Sequence, residues 1–121
     1  MLCVGCKGEK KEFIQEMTIA RLPSPPMCKT TTNLSYINKV TNTFINAPKE
    51  PLGEKINGWV YKVDINIDGQ VFSYTVSDTV FTDSDGKQYS VDGASIMDFL
   101  EEIYLKIDTV ETEYAKKKKN T

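Results

Sequence analysis

The sequence predicts an α+β fold built on a mostly antiparallel sheet, and three stretches carry that prediction. Between Trp59 and Gly69, the residues Trp59, Tyr61, Val63, Ile65 and Ile67 alternate with Val60, Lys62, Asp64 and Asn66. Side chains of a strand point alternately to opposite faces, so this period of two describes a strand with one buried face. Val71 to Ser77 repeats the pattern, with Phe72, Tyr74 and Val76 on one side. Asp68-Gly69 joins the two runs, and glycine's tolerance of positive φ makes that pair a hairpin turn. In the third stretch, Ile96, Phe99, Leu100, Ile103, Tyr104 and Ile107 fall on one face of a helix. Hairpin-linked strands and amphipathic helices together predict four to five strands with two helices on one face, in the order β-α-β-β-β-β-α.

The remaining elements follow in chain order. Residues 1–12 form a leader in which Lys7 to Glu12 shows no apolar periodicity. Phe13 to Leu22 predicts the first strand, free to pair at either edge of the sheet. Pro23, Pro25 and Pro26 end it, because proline can neither donate to a ladder nor continue a helix. Cys28 falls in the loop that follows. Thr30 to Asn33 offer capping side chains, and Leu34, Ile37, Val40, Thr41 and Phe44 share one helical face, so a helix is expected over Leu34–Asn46, stopping before Pro48. Pro48 to Gly58 reads as a loop.

After the central hairpin, Thr79 to Thr82 is a short β-branched strand. Asp83-Ser84-Asp85-Gly86 is a turn, and Lys87 to Val91 is its return strand. Gly93 breaks the sheet, and Ser95 with Asp98 opens the last helix. Four lysines, Lys116 to Lys119, close a basic tail over 111–121, leaving 13–110 as a single domain.

Composition narrows the chemistry. The chain has 121 residues, no histidine and a formal net charge of −2. Without imidazole there is no Ser-His-Asp or Cys-His catalysis and no histidine metal site. The weak acidic balance gives no drive toward nucleic acid. No apolar run approaches the ~18 residues of a membrane span. Neither a P-loop nor a dinucleotide-binding fingerprint occurs. Asp98, Glu101, Glu102 and Glu111 are candidate carboxylates, but no pair has a spacing that assigns acid–base roles. A non-enzymatic protein without a cofactor is therefore expected.

Leu2-Cys3-Val4-Gly5-Cys6 is the most informative short motif. It resembles the lipobox of small lipoproteins from low-GC Gram-positive bacteria, in which a cysteine follows aliphatic and small residues. Cys3 stands where leucine is usual. The polar run after Cys6 is similar to the tether of that family. The resemblance implies that Cys6 is the lipidated residue, that a charged and then an apolar segment is encoded upstream of Met1, and that the chain sits on the extracytoplasmic face of the cell membrane. Two or more acyl chains suffice for stable anchoring. The partner would then be the membrane surface, together with a protein or small molecule bound or blocked by the folded part.

The same residues have a rival reading. Cys3 and Cys6 in a C-x-x-C spacing, joined by Cys28, could gather a metal or act in redox chemistry in a cytoplasmic binding module. A closed zinc site needs four ligands, and these three thiols would need a carboxylate, water or second chain. Asp64-x-Asn66-x-Asp68-Gly69 matches the first half of a calcium loop, but Thr75 stands where the bidentate Glu belongs, so hairpin decoration is the expected role. Asp83 and Asp85 are likewise expected to be turn residues. Trp59, Tyr61, Phe72, Tyr74, Phe81 and Tyr89 could form a stacking platform, but the parity of Trp59 and Tyr61 assigns them to the core. Lys116 to Lys119 are expected to be solvated, with weak attraction to anionic lipid.

Overall fold

A computed structural model describes residues 15–114. Among the described residues, two helices and eight strands make an α+β fold with one open antiparallel sheet. The elements are β1 (Gln15–Arg21), β2 (Met27–Thr31), α1 (Leu34–Asn46), β3 (Lys49–Pro51), β4 (Tyr61–Ile67), β5 (Gln70–Val76), β6 (Val80–Thr82), β7 (Gln88–Val91), α2 (Gly93–Lys106) and β8 (Thr112–Glu113). Across the sheet the order is β3-β7-β6-β5-β4-β1-β2-β8. No helix among the described residues is long and apolar enough to cross a membrane.

The central hairpin forms as its turn chemistry requires. Ile67 pairs with Gln70, and Asp68 and Gly69 both have positive φ (55° and 93°), the conformation of a two-residue type I′ turn. Asn66 accepts a 2.8 Å hydrogen bond from the Gly69 amide. In the β6–β7 turn, Asp83 Oδ1 accepts from the amides of Asp85 and Lys87 (2.9 and 3.0 Å), and Gly86 takes φ 86°.

One face of the sheet carries the core. Met17 and Ile19 of β1, Val63 and Ile65 of β4, Val76 and Phe81 pack against Ile37, Val40 and Phe44 of α1 and Ile96, Leu100, Ile103 and Tyr104 of α2. Burial of each such aliphatic side chain stabilises by about 1.5–3 kcal/mol. Phe44 stands with its ring centroid 5.1 Å from both Tyr74 and Phe81. Helix α1 is capped by Asn33, whose Oδ1 accepts from the Tyr36 amide at 3.2 Å. Both helices end on lysines supplied by strands. Lys49 donates to the carbonyls of Phe44 (2.8 Å) and Ala47 (3.1 Å), and Lys29 to those of Tyr104 (3.3 Å) and Ile107 (3.0 Å). Cations there satisfy orphan carbonyls and oppose the helix dipole.

Several expectations are corrected. The sheet has eight strands instead of four or five. Cys28 lies in strand β2, not a loop: its inward positions hold Lys29, which serves the end of α2, so no apolar alternation marks it. Lys49–Pro51, expected in a loop, pairs with β7. The first strand is not at an edge, because β1 pairs with β4 along one side and β2 along the other. Asp92, not Ser95, caps α2, accepting from the Ser95 amide. Glu111, Thr112, Glu113 and Tyr114, assigned to the tail, are built into the fold through β8 and the contacts described below. Cys3, Cys6, the leader and Lys116 to Lys119 lie outside the described residues.

Trp59 is corrected as well. Val60 donates to the carbonyl of Val76, the residue that also pairs with Tyr61, so the chain bends there and the odd-position parity stops at Tyr61. Trp59 instead packs with Ala20, Cys28 and Tyr114. This second cluster lies away from the helices, on the face that carries Lys62 and Asp64.

Candidate functional site

Among the described residues, ion pairs gather where α2 passes over the end of β1. Arg21 shares strand parity with Met17 and Ile19 and so reaches the helix face as the last residue before the proline-rich turn. That turn contains cis peptide bonds at Leu22–Pro23 and Ser24–Pro25. Tyr61 is Arg21's direct cross-strand partner. Glu101 and Tyr104 project from adjacent turns of α2, and Glu111 comes from the segment that leads into β8.

These groups engage one another closely. Arg21 Nη1 donates to Glu101 Oε2, and Tyr61 Oη donates to Glu101 Oε1 at 2.6 Å. Arg21 Nη2 lies 3.6 Å from Glu111 Oε2, which also accepts from the Tyr104 hydroxyl. The guanidinium stacks over the Tyr104 ring, 4.1 Å from its centroid, and Lys29 Nζ stands 5.0 Å from the same centroid. A cation over an aromatic face is attracted by the ring quadrupole. An open groove of about 520 Å³ lies alongside, lined by Arg21, Leu22, Pro23, Ser24, Pro25, Met27 and Glu111.

Protonation follows from these contacts. The Arg21 guanidinium, with help from Tyr61, holds the Glu101 carboxyl below its ordinary range. Burial and then the bond to Glu101 push the Tyr61 phenol up to about 12. Burial and Glu111 push Tyr104 up as well. The hydrogen bond to Glu101 raises Arg21 still further above its already high value. At neutral pH, then, Glu101 is an anion paired with a cation, and both phenols keep their protons. General bases and acids work best with pKa values near the operating pH, and these shifts run away from it. The arrangement locks β1, β4 and α2 together.

Of the three cysteines considered as a metal site, only Cys28 falls among the described residues, and it lies apart from this network. Cys28 is fully buried, with its Sγ 3.6 Å from Thr112 Oγ1, in the cluster with Ala20, Trp59 and Tyr114. Trp59 meets Tyr114 edge-on at 6.3 Å, and Tyr114 donates to Asp64 Oδ2 at 2.6 Å. Burial first, then Asp64, pushes the Tyr114 phenol up. A metal shared by Cys28 would have to enter this packed cluster. Among the described residues no group of three or more Cys, Asp or Glu is placed to hold a metal ion.

Two members of the calcium-like set, Asp64 and Asn66, are committed to the fold. Asp64 accepts from Ser73 (2.7 Å) and Tyr114, and Asn66 from Gly69. Of the candidate carboxylates, Glu101 and Glu111 are drawn together by Arg21. Sequence reasoning gave them no partner. The available signal was Arg21 itself, an inward-parity charge at the end of a core strand, which demands a counter-ion. No protein-family model, curated protein or solved structure matches the chain.

Proposed function

We propose that this chain is a non-enzymatic, extracytoplasmic binding domain held to a membrane by lipid on Cys6. The carrying observation is the Leu2-to-Cys6 motif and its polar follow-on, which precede Gln15 in the sequence. Gln15 pairs with Ile67 beside the Asp68-Gly69 turn, so the leader enters at the hairpin end of the sheet. Extended at about 3.4 Å per residue, the chain from Cys6 to Gln15 reaches roughly 30 Å. The opposite end, with the Leu22–Pro26 turn and the Gly58–Trp59 approach, is the end remote from such an anchor. Our reading puts ligand contact at that end, beside the partly exposed Leu22. The Arg21–Glu101–Tyr61 network is satisfied within the fold, the carboxylate being paired with the guanidinium and the Tyr61 hydroxyl.

Mass spectrometry of the native membrane fraction tests the anchor. A diacylglyceryl group on Cys6 is expected, and Cys6→Ser should move the protein to the soluble fraction. An unmodified Cys6 in membrane-associated protein, or no redistribution of the variant, overturns the proposal.

A further inference from the structure

We infer that Asn57-Gly58 is a self-modification site, at which Asn57 converts spontaneously to aspartate and isoaspartate. The chemistry needs an amide nitrogen free to attack the preceding carboxamide, and a following residue without a side chain to obstruct the ring. Both residues are exposed, and Gly58 takes φ 101° with open space where a Cβ would stand. Neither the Asn57 carboxamide nor the Gly58 amide has a hydrogen-bond partner among the described residues. Their neighbours are held. Gln88 grips the Ile56 backbone by two hydrogen bonds, Oε1 accepting from the amide (2.7 Å) and Nε2 donating to the carbonyl (2.6 Å). Val60 bonds to Val76 on the far side. The pair is thus an unpinned crest between two fixed points.

The other described asparagines lack this freedom. Asn33 caps α1, and Asn38, Asn42 and Asn46 lie within it, the amide after Asn46 being bonded to the Thr43 carbonyl. Asn66 is in β4, accepts from Gly69 and precedes β-branched Ile67, which crowds the backbone.

The step balances without an oxidant. The deprotonated Gly58 nitrogen attacks Asn57 Cγ, and the Cγ–Nδ2 bond breaks to release ammonia, which takes up the proton. A cyclic imide remains. Water opens it at the side-chain carbonyl to give aspartate, or at the main-chain carbonyl to give isoaspartate, whose backbone runs through the former side chain. Either product adds one negative charge beside Trp59.

Incubation of the full chain at neutral and mildly alkaline pH, followed by peptide mapping with mass spectrometry, tests this. Asn57 should gain about one mass unit before any other described asparagine, faster as pH rises, with two products separable by chromatography. Asn57→Gln should abolish the early acidic species seen on isoelectric focusing. Conversion of Asn66 or the α1 asparagines at the same rate, or an Asn57 that stays intact while they change, overturns the assignment.

Discussion

Gly93→Ala is the substitution for which the structure gives the clearest number. A Cβ at residue 93 would lie 1.8 Å from the Ser77 carbonyl oxygen, 2.5 Å from that of Asp78 and 2.6 Å from the Asp78 carbonyl carbon. All three are backbone atoms that no rotamer change can move aside. Relief requires the start of α2 to lift from the β5–β6 connection, which breaks the 2.9 Å bond from the Gly93 amide to the Asp78 carbonyl. Overpacking costs roughly 1–3 kcal/mol, and a lost hydrogen bond about 1 kcal/mol. Alanine's advantage over glycine in a helix returns about 1 kcal/mol. The net loss is about 2 kcal/mol. Urea unfolding followed by the fluorescence of Trp59, the single tryptophan, reads it. With a slope of ~1–3 kcal/mol/M, the midpoint should fall by roughly 1 M. An unchanged or higher midpoint would show that α2 does not begin in contact with Ser77 and Asp78.

Glu101→Gln leaves Arg21 without its nearest anion and should lower stability by about 1 kcal/mol, a figure reduced for the partial exposure of the pair; in ultraviolet titration the Tyr61 phenol should return toward its ordinary value, and an unshifted phenol would refute its coupling to Glu101. The network also sets two pH limits. Glu101's folded pKa is depressed, so its contribution is present above the ordinary value of 4.5 and is lost as pH falls through the folded pKa. Tyr61 binds its proton more tightly when folded, so its contribution is complete below pH 10 and is lost as pH rises from there toward about 12. Melts across both windows check these signs, and stability that is flat in either range contradicts the corresponding shift. Gly69→Val forces a β-branched residue to φ 93° and should cost about 1–2 kcal/mol, read as a lower melting temperature; an unaltered melt would contradict the type I′ turn.

Legibility in the sequence tracked how local each feature's cause is. Asp68-Gly69, the Asn33 cap and the Ile96-to-Ile107 stripe are determined by neighbours in the chain, and the structure places them where the pattern does. Strand β2 was not legible because Lys29 occupies an inward position, and its reason for being there is the end of α2, distant in sequence. Trp59 was misplaced by a single bend at Val60, since parity counted through a bend reverses the face. The Arg21 network joins β1, β4, α2 and the segment before β8, and pairing over such separations has no periodic trace. Cys28, read from the sequence as a loop thiol, is buried in strand β2 beside Ala20, Trp59 and Tyr114, contacts made by residues far apart in the chain.

The position of β1 has a mechanical consequence. It is paired along its length with β4 on one side and across five positions with β2 on the other. Tension applied at Gln15 along the strand would load these cross-strand bonds together in shear, instead of peeling them apart one at a time as at a free margin. A body pulled from this point should resist extension strongly, and should give way first in the short outer pieces, where β8 meets β2 at two positions.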